Sequence, residues 1–182
     1  SDDKKQALSD NMDSVQSEIT EICKNAAENR KELTGGEIQR LEELFKKMHE
    51  LSEQELAVEK AKQEVVTVQA EALNKASDIS LEEYTQRAKE LTNTAEETRS
   101  TVISKAKEQY TEEVALLNNR LDTDKEYSQK QHDADVQAAE KRYQQAISAA
   151  NKEAGDTLKI IKDGYYNRAE ALKSATKDLK EL

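Results

Sequence analysis

The 182-residue sequence contains no proline and no tryptophan, and it has only four glycines, two histidines, one phenylalanine and one cysteine. Proline and glycine are the residues that most disfavour helix interiors, so their scarcity favours long uninterrupted helices. Hydrophobic residues make up 35% of the chain, which is too few to fill the broad core of a compact domain of this length. The composition therefore predicts an all-α protein of elongated helices, each with a narrow apolar face.

The charge of the chain is unbalanced, with 28 basic and 38 acidic residues and a net charge of −10. This excess of acid disfavours direct binding to nucleic acid phosphates or to anionic membranes. No apolar run approaches the roughly 20 residues of a membrane span, and no signal peptide opens the sequence. The sequence begins with Ser1 instead of methionine, which favours its being a piece of a longer protein.

The single cysteine, Cys23, excludes an internal disulfide. It lies between Ile22 and Ala26 on an apolar helical face, so we predict a buried core thiol. That face belongs to a series in alternating steps of four and three, which is the heptad spacing of a coiled coil. The series predicts a heptad helix within residues 1–32 and comprises Leu8, Met12, Val15, Ile19, Ile22 and Ala26.

Three segments have the form of a capping box, in which a Ser or Thr hydroxyl caps a helix and a Glu three residues later reaches back. Each box is flanked by an apolar pair that can form a hydrophobic staple. The boxes are Thr34 to Glu37, Ser52 to Glu55 and Ser80 to Glu83, with flanking pairs Leu33/Ile38, Leu51/Leu56 and Ile79/Tyr84. They predict two capped helices within residues 33–76 and the start of a third helix at Ser80.

Heptad spacing continues in both capped helices. The first has Ile38, Leu41, Phe45 and Met48, and the second has Val58, Ala61, Val65, Val68 and Ala72. We expect the chain to fold back at residues 77–80, so that the second set packs in antiparallel fashion. Its predicted partners are Tyr84, Leu91, Ala95 and Val102.

After Ser80 the apolar period changes to eleven residues, which is close to three helical turns. The central column runs Tyr84, Ala95, Ala106, Leu117, Ser128, Ala139, Ala150, Ile161 and Leu172. Since this phase persists to the end of the chain, we predict one long helix over residues 80–182. Beyond about residue 105 its columns have no evident partner within the chain, so a homo-oligomer or partner helices are expected to cover them.

Two features could interrupt this long helix. Asp122, Thr123 and Asp124 could form a turn, but a loop has no reason to preserve the phase, so a continuous helix is the preferred interpretation. Lys125, Ser128 and His132 form a polar layer that is a loosened, solvated stretch, a layer that sets the register of the seam, or a hinge. Gly155 and Gly164 are expected places for fraying or a bend, because glycine costs about 1 kcal/mol in a helix interior.

The residue types needed for catalysis are scarce. His49 is expected to be solvated near a helix end, and His132 with Asp135 supplies only two of the ligands that a metal site needs. Lys46 and Gln129 stand where a helical di-iron protein has its glutamates. We therefore predict no enzyme, no catalytic residue, no cofactor and no metal site.

Four segments share a helical, Ala/Lys/Glu/Gln-rich composition: the capped "LTGGEIQRLEEL", then "LSEQELAVEKAKQE", and the repeats "AKEQYTEEV" and "AEKRYQQAI". With them the chain, over about residues 30–180, resembles the helical interior of tail tape measure proteins from siphophages of Gram-positive hosts. Gly35 and Gly36 depart from the family, in which acidic residues usually follow the "LT" cap. The resemblance implies a helical ruler that fills the tail tube, sets tail length and leaves during DNA ejection.

Two other classes of protein have long helices of similar composition. A coiled-coil or helical-bundle binding protein on the surface of a Gram-positive bacterium is the main alternative. A membrane-active amphipathic protein is disfavoured, because the chain is acidic and lacks a lysine-rich face opposite Trp or Phe. The tape measure interpretation places the protein in the virion tail, assembled in the host cytoplasm beside tail tube and tail assembly proteins.

Overall fold

A computed structural model describes residues 2–181. Within this range the chain forms four α-helices and no strand, which confirms the all-α prediction. The helices are α1 (Asp2–Glu28), α2 (Gly35–Lys75), α3 (Leu81–Thr123) and α4 (Gln129–Glu181). The chain divides into two compact units. Unit 1 comprises Ser1–Val58 and Ser104–Ala146, and unit 2 comprises Glu59–Ile103 and Ile147–Leu182.

The core of unit 1 is built on the heptad face of α1. Five residues of that helix are buried, and they pack against the first half of α2 and against Leu116 of α3. They are Met12, Val15, Ile19, Cys23 and Ala26. Burial raises the pKa of the Cys23 thiol, as expected for a core cysteine. Four members of the predicted seam of α1 are buried, while Leu8 and Ile22 are partly buried beside them. The predicted core thiol is confirmed.

The core of unit 2 is made largely of small side chains. Tyr84 is fully buried at its centre, with Ala70 and Leu73 of α2 on one side and Ile161 of α4 on another. Ala95, Ala150 and Ala154 are also buried. Alanine allows helix axes to approach closely, so a chain with few large apolar residues can still exclude water from a core.

Two of the three predicted caps are present. The Thr34 hydroxyl accepts the N–H of Glu37 at 3.2 Å, and Glu37 accepts the N–H of Thr34 at 3.0 Å, which completes the box. The Thr34 N–H also lowers the pKa of the Glu37 carboxyl. At the start of α3 the Ser80 hydroxyl accepts the N–H of Glu83 at 3.1 Å. Residues 77–80 connect α2 to α3, as expected.

The predicted helix start at Ser52 is wrong, because α2 continues through it from Gly35 to Lys75. The residues immediately before Ser52 include no glycine or asparagine that could end the helix. Leu51 is buried as part of α2. The members of the would-be box bind α3 instead. The carbonyl of Ser52 accepts Nε2 of Gln109 at 3.2 Å, and Glu55 pairs with Lys105 at 3.1 Å.

The predicted single helix over residues 80–182 is also wrong, since α3 ends at Thr123 and α4 begins at Gln129. After this break α4 packs against α3 within unit 1, where the rings of Tyr110 and Tyr143 lie 5.2 Å apart. The eleven-residue phase survives because both helices turn the same column toward a core, not because they are continuous. Most of the central column beyond residue 105 is thereby covered inside the chain, with Leu117 and Ile161 both buried, whereas Leu172 is exposed.

The expected packing between α2 and α3 is half right. Tyr84, Ala95 and Val102 of α3 are buried as expected. The expected face of α2 is instead exposed, and α2 buries Val66, Ala70 and Leu73 on its opposite side. The face that packs carries Ala70, which permits close approach, and Thr67, which makes hydrogen bonds to α4. These contacts outweigh the greater hydrophobicity of the valines.

Candidate functional site

The two histidines are engaged in local contacts. His49 lies in the middle of α2, not near a helix end, and its Nε2 is 3.1 Å from Glu53. His132 binds Oδ1 of Asn118 at 2.7 Å, and it is not paired with Asp135. Asp135 accepts the hydroxyl of Tyr127 at 2.6 Å. Among residues 2–181, no group of three His, Cys, Asp or Glu side chains is placed to hold a metal ion.

The enclosed space in unit 1 is small. A cavity of about 40 Å³ lies between α2, α3 and α4, with His49, Tyr110 and Tyr143 in its wall. This volume is far below the several hundred Å³ that are typical of a ligand pocket. None of the four described helices combines the length and hydrophobicity that a bilayer span requires.

The connection at residues 124–128 is built from buried polar groups. Asp124 is 1% exposed, accepts the N–H of Glu126 at 3.0 Å and pairs with Arg120 at 3.3 Å. The guanidinium of Arg120 lies 4.1 Å from the ring centre of Tyr127. Burial, and then the hydrogen bond to Asp135, raise the pKa of Tyr127. Because these groups satisfy one another, the connection has a defined conformation.

The start of α4 had a readable signal that the sequence interpretation missed. The Ser128 hydroxyl accepts the N–H of Gln131 at 3.0 Å and caps the helix. Ser128 and Gln131 have the spacing of a capping box, and the rings of the flanking residues Tyr127 and His132 lie 6.2 Å apart as a staple would. The polar layer predicted at this point is therefore a helix start.

A second polar cluster ties α4 to the end of α2 in unit 2. The Tyr84 hydroxyl donates to the side chain of Asn74 and lies 3.0 Å from the carbonyl of Ile161. Arg168 donates to the carbonyl of Leu73, in the last turn of α2, and to that of Ala76, the residue after the helix. A cation at this place complements the carbonyls at the helix end and the dipole of α2.

Glycine at position 164 is required by this cluster. A Cβ atom there would overlap the side chains of Asn74 and Tyr84. A Cβ atom at Gly155 would have no neighbour within 4 Å. The helix runs through both positions without interruption, so neither glycine ends or frays it.

Farther along unit 2, α2 and α4 meet through hydroxyl groups. Thr67 and Thr157 lie 2.7 Å apart, and the Thr67 hydroxyl also bonds Glu153 at 2.8 Å. Gln63 is buried nearby, and its Nε2 has no hydrogen-bond partner in the structure. The neighbouring void has no room for a water molecule, so this layer serves packing and not ligand binding.

One exposed apolar feature of unit 2 is the predicted seam of α2 that does not pack, here called the valine face. It consists of Ala61, Val65, Val68 and Ala72, all exposed, with Val65 at 54% and Val68 at 62%. Ala72 also lines a shallow groove with Leu91 of α3. The face lies opposite the buried side of α2, so this segment of the helix is apolar on two sides.

The second such feature is the end of α4, here called the tail, residues 169–181. Residues 170–181 are all exposed, including Leu172 at 54% and Leu179 at 71%. The tail follows Arg168, which donates to the carbonyls of Leu73 and Ala76 and lies over the ring of Tyr84. The apolar column of the tail continues the face of α4 that is buried against α2 and α3. The tail lies past the point where those two helices end their contact with α4.

The described residues thus present two exposed apolar surfaces, the valine face and the tail. Comparison with protein-family models, with curated proteins and with the solved structures found no match.

Proposed function

We propose that the chain is a structural segment that acts through its long helices and not through catalysis. More finely, we propose a segment of a phage tail tape measure protein, which acts as a helical ruler in the virion tail beside tail tube and tail assembly proteins. The observation that carries the proposal is the eleven-residue apolar column in α3 and α4, most of whose members are buried. The resemblance described above supports the finer statement.

A second candidate is supported by the break at residues 124–128. Within unit 1, Arg142 of α4 binds Glu113 of α3, so the chain returns beside itself there. A helical bundle of this kind suits a binding protein on a bacterial surface. In that case the folded bundle would be the working form, whereas a ruler would work through the length of helix laid along the tail.

The ruler proposal makes a quantitative prediction for tail length. Deleting residues 139–171 from the parent gene removes three repeats of eleven and joins Ala138 to Leu172, so the remaining column keeps its phase. At about 1.5 Å per residue we expect the tails to be shorter by roughly 50 Å. Electron microscopy of the mutant virions measures this length directly.

The matched control removes only residues 139–143. This deletion rotates the downstream column by about 140° at 100° per residue, so it should damage assembly more than its small length change accounts for. Tails of unchanged length from the 33-residue deletion would contradict the ruler and favour the surface-bundle candidate.

A further inference from the structure

The tail carries an apolar seam of its own. Ala169, Leu172, Thr176 and Leu179 follow one another in steps of three and four, which is the spacing of a coiled-coil seam. Most of the stability of a helix in a protein comes from burying such a face, so a helix that covered the seam would stabilise the tail. Among the described residues, neither α2 nor α3 covers the seam beyond Ala169.

The charges beside the tail seam exclude its pairing with another tail. Lys173 and Lys180 flank the seam on one side, and Arg168 lies on the other. Two such seams would place like charges opposite each other in either orientation, which is destabilising. The tail is therefore suited to a helix whose own flank is acidic.

The valine face has such a flank. Glu64 and Glu71 border it on one side, and their seven-residue spacing equals that of Lys173 and Lys180. Two valine faces in antiparallel orientation would oppose glutamates to glutamates, and in parallel orientation they would bring Glu64 to Gln69 with no ion pair. None of the two glutamates and two lysines forms an ion pair within the described part of the chain.

We propose that the tail of one copy binds the valine face of a second copy as a parallel helix pair. With Ala169 opposite Val65, Leu172 lies opposite Val68 and Thr176 opposite Ala72. In this register, flanking positions five residues apart face each other across a parallel seam, which brings Lys173 to Glu64 and Lys180 to Glu71. The apolar layers drive the association, and the charges select the partner and the register.

The contact joins two different surfaces, so each copy keeps one free tail and one free face. A contact of this kind propagates into chains of copies unless the rotation closes a ring. Its few small layers fall below the roughly 1,200 Å² of a standard interface, so the association should be weak and concentration-dependent. The proposal does not depend on the ruler.

The test uses charge-reversed full-length chains in sedimentation experiments over a concentration series. One variant carries Glu64→Lys with Glu71→Lys, and the other carries Lys173→Glu with Lys180→Glu. Each variant places like charges across its own contact, so association should weaken roughly tenfold relative to the unmodified chain. An equimolar mixture of the two should associate again, because every contact between different variants is complementary.

The control is Glu170→Lys with Asp178→Lys, which makes the same change in net charge as the Glu64→Lys, Glu71→Lys variant but on the face of the tail away from its seam, and it should leave association unchanged. Circular dichroism verifies that each variant keeps its helix content, which is expected since all the altered residues are exposed. An unmodified chain that stays monomeric up to about 1 mM would overturn the proposal. So would variants that associate as well as the unmodified chain, or a mixture that associates no better than its components.

Discussion

Gly164 shows how one hydrogen atom in place of a side chain can decide the packing of a helix. It lies beside Asn74 and Tyr84, and that pair anchors the end of α2 to α4. From the sequence, glycine there was readable only as a weak point in a helix, because nothing local indicates that another side chain approaches it. The same limit applies to Gln63, which is buried without a partner for its Nε2 and which no local pattern marks as interior.

Alanine substitution at the two helical glycines should have opposite effects. Gly164→Ala forces Asn74 and Tyr84 to move, so we expect a loss of about 1 to 3 kcal/mol in the free energy of unfolding. Gly155→Ala fills open space and removes the helix penalty of glycine, so a gain of up to about 1 kcal/mol is expected. Urea denaturation of both variants measures the difference, and a stabilised Gly164→Ala variant would contradict the packing described here.

At the scale of a helix, the capping boxes separate what a local pattern can predict from what it cannot. The boxes at Thr34 and Ser80 follow segments that end the preceding helix, and both form caps. The box at Ser52 has the same letters but follows helix-forming residues, and α2 runs through it. A capping box therefore starts a helix only where the residues before it end the preceding helix. At Ser52 the preceding helix can continue, and continuation is favoured over a new start.

Removing the hydroxyl at two of these boxes tests the distinction. Thr34→Ala deletes a cap that is made, so it should cost about 1 kcal/mol of stability. Ser52→Ala alters a residue inside α2 and should be neutral or stabilising by a few tenths of a kcal/mol, because alanine is the better helix former. Thermal melts followed by circular dichroism compare the two, and equal destabilisation would show that a helix begins at Ser52 in solution.

The break before α4 was predictable in principle. Ser128 and Gln131 form a box of the same kind, and Tyr127 supplies its staple, but the persistent eleven-residue phase was given more weight. An unchanged eleven-residue phase does not show that the helix is continuous. Two separate helices keep the same phase when each turns the same column of residues toward a core. Which face of α2 is buried could not be read at all, because the choice between Val65 and Gln63 depends on the helices that pack against α2.

For the molecule as a whole, the composition predicted the class correctly because low hydrophobicity without proline is compatible with few folds other than long helices. The pairing of those helices was not predictable in the same way. Small residues such as Ala95 and Ala154 are buried in the cores as fully as many of the large apolar residues that pattern reading emphasises. Burial is therefore spread along the chain, and it ends where α4 continues past the end of α2.

Amide hydrogen exchange should reveal this limit. In dilute solution we expect residues 172–181 to exchange with little protection, because their hydrogen bonds are exposed and no helix covers them. Residues 84–102 of α3, which include the buried Tyr84 and Val102, should be protected much more strongly. Equal protection of the two segments at low concentration would contradict an uncovered tail.

The buried thiol of Cys23 allows the opening rate of unit 1 to be measured by thiol labelling. It is the only cysteine in the chain, so a thiol reagent can label the protein at one place, and that place lies in the core of unit 1. The thiolate is the reactive form, and burial both shields it and raises its pKa. Labelling requires the core to open, so the labelling rate reports how often unit 1 opens. Unit 2 has no cysteine and therefore contributes nothing to this signal.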